Sequence, residues 1–232
     1  MENIGIVGVG FVGSATYHTF SPYFKMKLYD KFKPGFEDLE TVANSCKYIF
    51  VCVPTPVDNS GKQDLSCIYD AIDSINEISK ESKVLILRST IIPGTTRKLS
   101  EKYENHNFVF VPEFLSERTA LFDSINAYRI ILGGDNKDIL DEVESKIFRV
   151  RYPHTLIFRT SFDSAELVKY VTNCFFSVKI SFMNEIYDIC EKMNLKYDDI
   201  KTMVLADLRI ANSHMDVPGP DSYRGFGGEM PI

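Results

Sequence analysis

The apolar run Ile4–Val9 leads into three glycines spaced G-x-G-x-x-G. The motif comprises Gly8, Val9, Gly10, Phe11, Val12 and Gly13. Such glycines allow a tight turn, a close approach of the backbone to a pyrophosphate, and close packing of a helix on a sheet. Asp30 lies seventeen residues past Gly13, at the end of a second predicted strand. A carboxylate there can accept hydrogen bonds from both ribose hydroxyls and would repel a 2′-phosphate, so the combination predicts an NAD site.

Two alternatives remain open for this motif. A glycine turn can serve packing alone, without any ligand. Lys31 and Lys33 lie close to Asp30 in the sequence, and a cation at that place accommodates the 2′-phosphate of NADP. Because the strand, the following helix and the acid all agree with the motif, the NAD interpretation is preferred.

Polar residues also follow three later strands of the predicted sheet. The runs are Val51–Pro56, which presents Thr55, Arg88–Thr95, which carries Ser89 and Thr90, and Val111–Glu117, which carries Glu113 and Glu117. Each run alone is typical of ordinary turns and solvated acids. Because ligands of open α/β sheets bind beyond the carboxyl ends of the strands, the convergence of these runs predicts a site at that edge.

A lysine and an amide stand four residues apart on a predicted helix, at Lys169 and Asn173. That spacing places them on one helix face. A helix lysine is ordinarily solvated, but the two groups together could stabilise an oxygen that gains negative charge during a reaction. The four histidines show no ligand spacing with one another, so we predict no metal site.

Short Val/Ile-rich runs alternate with helical patterns of crossover length, which predicts an α/β fold. The predicted strands are Asn3–Val9, Lys25–Tyr29, Tyr48–Val53, Lys83–Arg88, Asn107–Val111, Tyr128–Leu132 and Thr155–Arg159. The helices between them are Val12–Phe20, Leu65–Ser79, Gly94–Tyr103 and Asn136–Val150. We expect a doubly wound, mostly parallel, Rossmann-like sheet that forms an NAD-binding domain over residues 1–160.

In residues 161–232 the alternation of strand and helix patterns ends. One helical pattern runs from Asp163 to Met193, and Asp163 with Glu166 offers a capping box at its start. An apolar stripe follows this helix: Leu167, Val171, Cys174, Val178, Phe182, Ile186, Ile189 and Met193. A second helix is predicted over Tyr197–Leu208, and a Gly/Pro-rich loop follows it. A long helix with one apolar stripe favours a dimerisation segment, hence a homodimer.

Composition narrows the function classes. The 232 residues carry a formal net charge of −6, which argues against nucleic acid or an anionic membrane as the main partner. Five cysteines without a C-x-x-C pair indicate reduced thiols and a cytoplasmic location. We also expect no leader and no membrane anchor, because Met1–Gly8 run straight into the first strand.

Together these segments resemble the NAD-dependent nucleotide-sugar dehydrogenases, and among them most closely the UDP-glucose 6-dehydrogenases. The matching segments, in family order, are the glycine motif with Asp30, residues 53–56, 88–90, 112–115, 165–173, 179–182 and 217–228. The Lys169/Asn173 helix and the loop Gly225–Gly228 are the specific parts. The resemblance implies the oxidation of a primary alcohol of a UDP-hexose to a carboxylate with two NAD molecules in succession.

The resemblance also implies roles for individual residues. Thr90 would hold a water near the reacting carbon, Lys169 with Asn173 would stabilise the oxyanion, and Glu113 would assist thioester hydrolysis. Cofactor contacts would come from the glycine motif and from Asp30, Val53, Thr55, Ser89, Thr90 and Glu117. Substrate contacts would come from Phe114, Leu115, Lys169, Asn173, Arg209, Gly225, Phe226 and Gly227.

Two departures from the family pattern bear on activity. Met230 stands where the family has its nucleophilic cysteine, and a thioether cannot form a thiohemiacetal. We also expect the chain to lack the family's second nucleotide-binding domain and to end at the catalytic loop. It would then be either complemented by a separate partner chain or limited to the alcohol-to-aldehyde half. Cys174 is a candidate substitute nucleophile, but its place in the apolar stripe of the long helix argues against this role.

Two other classes of function stay open. One is a non-catalytic NAD-binding or dimer-forming remnant of such an enzyme, which Met230 favours. The other is a β-hydroxyacid dehydrogenase, a class that also joins a Rossmann domain to a helical segment with a helix lysine. The glycine loop that bears Phe226 speaks against this class.

Overall fold

Seven strands form one sheet in the computed structural model, which describes residues 2–58, 60–116, 119–219, 222 and 224. The strands are β1 (Asn3–Val7), β2 (Lys25–Tyr29), β3 (Tyr48–Val51), β4 (Val84–Leu87), β5 (Asn107–Phe110), β6 (Arg129–Gly133) and β7 (Leu156–Thr160). Their order is β2-β1-β3-β4-β5-β6-β7, and neighbours are parallel except β5 and β6, which meet antiparallel at Phe110 and Gly133. The predicted fold class is confirmed.

Helices connect and flank these strands. They are α1 (Phe11–Phe20), α2 (Leu39–Ser45), α3 (Ser66–Ile78), α4 (Thr95–Lys102), α5 (Ala120–Ile125), α6 (Lys137–Val143), α7 (Arg149–Arg151), α8 (Phe162–Lys192) and α9 (Tyr197–Leu205). A π-helical segment, Glu144–Phe148, joins α6 to α7, so the single helix predicted over 136–150 is interrupted. Helices α2 and α5 were not predicted from the sequence.

Helices cover both faces of the sheet. Successive side chains of a strand point to opposite sides, so one strand contributes to two core layers. On β4, Leu85 and Leu87 pack into a core layer with α2, α3 and α4, whereas Val84 and Ile86 pack into the opposite layer. The second layer holds an aromatic cluster in which Phe20 lies 5.2 Å from Phe50 and 5.7 Å from Phe148 between ring centroids. Such continuously apolar strands are typical of parallel sheets covered by helices.

The chain passes from β1 outward to β2 and then returns to β3 on the other side of β1. Such a reversal of strand order opens a crevice beyond the carboxyl ends of the strands, which is where open α/β sheets bind ligands. The glycine motif begins directly after β1 and therefore lies at this crevice.

The chain divides into two compact units, with the boundary inside α8 between Lys169 and Tyr170. The second unit has its own apolar cluster of Met183, Cys190, Tyr197, Met215 and Val217. Within it, the Tyr197 hydroxyl donates to the carbonyl of Met215 at 2.6 Å. Among the described residues, no helix has both the length and the apolar character needed to cross a membrane.

Candidate active site

The three motif glycines are required for different reasons. A Cβ on Gly8, whose φ is +91°, would lie 2.6 Å from the carbonyl oxygen of Cys52. A Cβ on Gly13 would lie 1.9 Å from the carbonyl oxygen of Gly8, so close packing of α1 on the sheet excludes any side chain there. A Cβ on Gly10 would meet no described atom within 4 Å. The open space at Gly10, beside the N-terminus of α1, fits the approach of a pyrophosphate.

Asp30, at the end of β2, is held against the glycine loop. Its Oδ2 accepts from the backbone N–H of Val9 at 2.7 Å, and its Oδ1 accepts from those of Phe32 and Lys33 at 3.0 and 3.1 Å. A carboxylate offers about four acceptor positions. Three are taken, so roughly one remains for a ribose hydroxyl instead of the two that the sequence analysis expected.

A cavity of about 330 Å³ opens beside this loop. Its lining comes from the glycine loop, the end of β2, the turn after β3 and helix α3, and includes Gly8, Asp30, Lys31, Val53 and Asp70. Few carboxylates surround it, and its walls at Val7, Leu39 and Ala71 are apolar. An apolar slot next to a phosphate cradle fits an adenosine group.

The hydroxyls predicted at the ends of β3 and β4 bind backbone. Ser89 Oγ donates to the carbonyl of Val53 at 2.6 Å, and Thr55 Oγ1 donates to that of Thr90 at 2.7 Å. Gln63, which the sequence analysis missed, donates to the same Thr90 carbonyl at 2.7 Å and accepts from the N–H of Ile92 at 3.1 Å. The structure thus brings together the predicted residues of two neighbouring strand ends and fixes the partly exposed Thr90 between them.

The charged pair of the site is Lys169 with Glu113. Lys169 Nζ lies 2.7 Å from Glu113 Oε1, and the two side chains are only 3% and 2% exposed. The other carboxylate oxygen of Glu113 accepts from the N–H of Leu115 at 2.8 Å. Two cations lie near the Phe114 ring, whose centroid is 5.8 Å from Lys169 Nζ and 4.4 Å from the Arg129 guanidinium. Both residues of the pair were predicted separately; their contact was not.

Glu166 anchors α8 to the segment that follows Thr90. Fully buried, it accepts from the N–H of Gly94 at 2.6 Å and from the N–H and hydroxyl of Thr96 at 2.8 and 2.6 Å. Burial raises the pKa of this carboxyl, and the three donors oppose that shift. The predicted capping box of Asp163 and Glu166 is wrong, because Glu166 caps α4 instead of its own helix.

The start of α8 is capped by other means. Ser161 Oγ accepts from the N–H of Ser164 at 3.3 Å, while the Asp163 carboxylate binds the Arg97 guanidinium. The apolar residue Phe162 already belongs to the helix and is buried in the core layer of α3 and α4. A sequence pattern shows which residues could cap a helix but not which of two helix ends a buried carboxylate will reach.

Arg88 is a buried cation, and nothing in the sequence assigned a role to its charge. It is 7% exposed, and its Nε finds no hydrogen-bond partner among the described residues. Together with Glu113 and Tyr152 it lines a cavity of about 100 Å³. Nearby, burial raises the pKa of the Cys52 thiol to about 11 despite the Arg88 charge, so this thiol is not a reactive nucleophile.

The remaining predicted residues lie in the second unit or outside the described ranges. Asn173 is half-buried on α8, one turn past Lys169. The Arg209 side chain is 89% exposed and pairs with Asp207 at 2.6 Å. Glu117, Gly225, Phe226, Gly227 and Met230 lie outside the described residues. Within the described ranges, no cluster of His, Cys, Asp and Glu side chains is placed to hold a metal ion.

Comparison with known sequences decides the family. Residues 30–151 match the NAD binding domain of the UDP-glucose/GDP-mannose dehydrogenase family, and residues 163–230 match its central domain. The chain belongs to this family. The resemblance to nucleotide-sugar dehydrogenases is therefore confirmed, and so is NAD as the cofactor of the sheet unit.

Among curated relatives, an uncharacterized protein of Methanocaldococcus jannaschii is 37% identical over 193 residues, and the match covers 78% of this chain and 20% of that protein. A UDP-glucose 6-dehydrogenase of Rickettsia felis is 34% identical over 185 residues, and the match covers 78% of this chain and 40% of the relative. The chain thus spans less than half the length of these relatives.

A solved UDP-glucose dehydrogenase of Pyrobaculum islandicum superimposes with a TM-score of 0.79 at 22% identity, over 93% of this chain and 59% of that one. A 3-hydroxyisobutyrate dehydrogenase of Mycobacterium tuberculosis gives a TM-score of 0.72 at 14% identity, over 96% of this chain and 77% of the other. At these identities the likeness concerns the fold alone. The family match, not the fold, separates the two classes of dehydrogenase.

Proposed function

We propose that the chain is an NAD-dependent oxidoreductase that removes a hydride from the primary alcohol of a UDP-hexose. The observation that carries the proposal is the buried Lys169–Glu113 pair, in which Lys169 lies on α8 and Glu113 follows β5 of the same sheet that presents the glycine loop after β1. Ligands of such sheets bind beyond the carboxyl ends of the strands, where both features begin. The UDP-hexose is inferred from the family, because the relatives from Rickettsia felis and Pyrobaculum islandicum are named as UDP-glucose dehydrogenases.

Oxidation of an alcohol needs a group that takes the hydroxyl proton and a cation near the oxygen. NAD, when bound, accepts the hydride. Lys169 supplies a positive charge in a nearly water-free place, where its attraction for a developing alkoxide is stronger than in water. Glu113, the partner of this ammonium, holds it in place and is the carboxylate beside it that would take the hydroxyl proton, so that Lys169 keeps its charge next to the alkoxide.

The proposal is limited to the alcohol-to-aldehyde step. Met230 has no thiol proton to lose and cannot capture an aldehyde covalently. Each sugar should therefore yield one NADH and an aldehyde. An enzyme that completed both oxidations would yield two NADH and a carboxylate.

The test is NADH formation with a panel of UDP-hexoses, together with trapping of the aldehyde by a hydroxylamine and its detection by mass spectrometry. Lys169→Ala should lower the rate by about a hundredfold or more, while NADH binding is retained. Lys192→Ala removes a lysine from the last turn of the same helix and should leave the rate unchanged. Background rates with every sugar would contradict the proposed activity.

A second candidate follows from Met230: a non-catalytic NAD-binding protein. Calorimetry on the same preparation distinguishes the two. NAD binding without turnover supports this second candidate, whereas turnover contradicts it. Failure to bind NAD would contradict both candidates.

We also infer a homodimer formed through α8. Several apolar side chains on this helix are about half exposed or more: Leu167 52%, Val171 58%, Phe175 64%, Val178 69% and Phe182 59%. An exposed apolar stripe of this kind is typical of an interface. Light scattering at micromolar concentration should give twice the chain mass, and Val178→Glu should give a monomer. A monomeric parent chain would contradict the inference.

A further inference from the structure

Two lysines follow Asp30 directly, and the structure shows where each ammonium group goes. Lys33 Nζ donates to the carbonyl oxygen of Val9 at 2.7 Å, so it closes back on the glycine loop. Lys31 Nζ lies 2.8 and 3.1 Å from the two carboxylate oxygens of Asp70 on α3. Neither cation is left without a partner beside the acid.

Lys31 and Asp70 both line the 330 Å³ cavity that fits an adenosine group. Their side chains are 54% and 51% exposed, so water and ligand can reach both. The pKa of the Lys31 ammonium lies above its ordinary value because of its hydrogen bond to Asp70. The cation nearest to Asp30 is thus neutralised at the wall of the cavity.

This arrangement bears on the choice between NAD and NADP. A cation next to the end of β2 accommodates the 2′-phosphate of NADP, and an acid there favours the free ribose hydroxyl of NAD. The chain has both groups side by side. Asp30 by itself is a weak discriminator here, because three backbone N–H groups already bind its carboxylate.

We propose that Asp70 is a specificity-determining residue, which selects NAD over NADP by holding Lys31 in an ion pair at the wall of the adenosine cavity. The inference rests on the assignment of the glycine loop as the dinucleotide site. Without Asp70, the ammonium of Lys31 is free to turn toward a 2′-phosphate, with which it forms a charge-assisted hydrogen bond.

The experiment compares NADH and NADPH binding to the full chain by fluorescence titration at low ionic strength. Asp70→Asn should tighten NADPH binding about threefold to fivefold, because an exposed ion pair competes only weakly for the ammonium, while the Kd for NADH changes less than about twofold. The gain should shrink at higher salt, because the contact is exposed. Combining Asp70→Asn with Lys31→Met should abolish the gain.

Asp73→Asn is the matched control. Asp73 lies three residues further along α3, and its partners are Lys102 and Tyr103, away from the cavity. The substitution removes the same charge from the same helix, so it reports any effect of net charge alone. It should leave the ratio of the two dissociation constants unchanged.

Any of the following outcomes would overturn the inference. If Asp70→Asn weakens NADH without improving NADPH, Asp70 is a direct NAD contact. If the gain persists with Lys31→Met, or appears equally with Asp73→Asn, Lys31 is not the responsible cation. If the parent chain binds neither nucleotide, the dinucleotide site itself fails, which is distinguishable from an unchanged ratio in a chain that binds NADH.

Discussion

Two lysine–carboxylate pairs in the first unit have almost the same contact distance and opposite surroundings. Lys169 lies 2.7 Å from Glu113 with both side chains nearly buried. Lys31 lies 2.8 Å from Asp70 with both side chains about half exposed. The distance therefore says little about what each pair does, and the exposure says more.

The buried pair is held by the cost of separating it. Removal of one partner leaves a charge without compensation in a place with little water, whereas an exposed pair exchanges its partner for water at little cost. The buried pair is thus a fixed part of the site. The exposed pair can be rearranged without damage to the fold, which suits a role in ligand selection.

The largest effect is expected where the buried pair is broken. Glu113→Gln leaves the Lys169 ammonium unpaired and should lower the free energy of unfolding by about 3–5 kcal/mol. The double variant with Lys169→Met should recover much of this loss, because no unpaired charge remains. Urea unfolding followed by circular dichroism measures both. Losses that simply add in the double variant would show that the two groups do not act as a pair.

Two glycines of the loop, Gly13 and Gly10, differ in the space around them. Gly13→Ala would place a Cβ 1.9 Å from the Gly8 carbonyl oxygen and should cost about 1–3 kcal/mol or more of stability. Gly10→Ala meets no described atom and should leave stability nearly unchanged, but weaken NADH binding about tenfold or more. Unfolding curves and NADH titration on both variants separate packing from binding. Unchanged NADH affinity in Gly10→Ala would contradict the predicted approach of the pyrophosphate.

The pair of Glu142 on α6 with Lys47 lies between the buried pair and the exposed pair, because the Glu142 side chain is 20% exposed. Hydrogen bonds from Lys47 and Tyr48 lower the pKa of its carboxyl from 4.5 to about 2. Since the folded pKa is the lower one, the resulting stability is present above pH 4.5 and is lost as the pH falls toward 2. Glu142→Gln should flatten the fall in stability between pH 5 and pH 3, measured by urea unfolding.

The control for this titration is Glu101→Gln, which changes an exposed carboxylate on α4. It should leave the slope of stability against pH as it is in the parent chain. Equal flattening by both substitutions would assign the effect to net charge and not to the contacts with Lys47 and Tyr48.

The sequence predicted those features that depend on local signals. All seven strands were found, because apolar runs and their flanking turns are short-range patterns. The glycine motif was found for the same reason, since its spacing is a short-range pattern, and the backbone around Gly8 and Gly13 excludes a side chain at both positions. Helix α2 was missed even though Asp38 caps it by accepting from the N–H of Thr41 at 2.6 Å. Its seven residues are too few to show a clear helical period.

Contacts between distant residues were not predictable in this way. Glu166 and Thr96 lie 70 residues apart, and Lys31 and Asp70 lie 39 apart. Whether a carboxylate caps its own helix, binds another helix or neutralises a cation depends on how the elements pack. The resemblance supplied roles for Glu113 and Lys169 one at a time, and only the structure showed that they bind each other.

The smallest effect is expected from the exposed pair. Asp70→Asn should shift Tm by less than about 2 °C, because both side chains can be solvated when the pair separates. The pKa of Lys31 is raised above 10.5, so the stability that its charge contributes is present below that pH and is lost only at higher values. The Tm difference between Asp70→Asn and the parent chain should therefore stay flat from pH 6 to pH 9 in thermal unfolding. A loss of stability comparable to that of Glu113→Gln would mean that Asp70 is needed to hold the end of β2 against α3. The contrast between a fixed pair and an adjustable one would then fail.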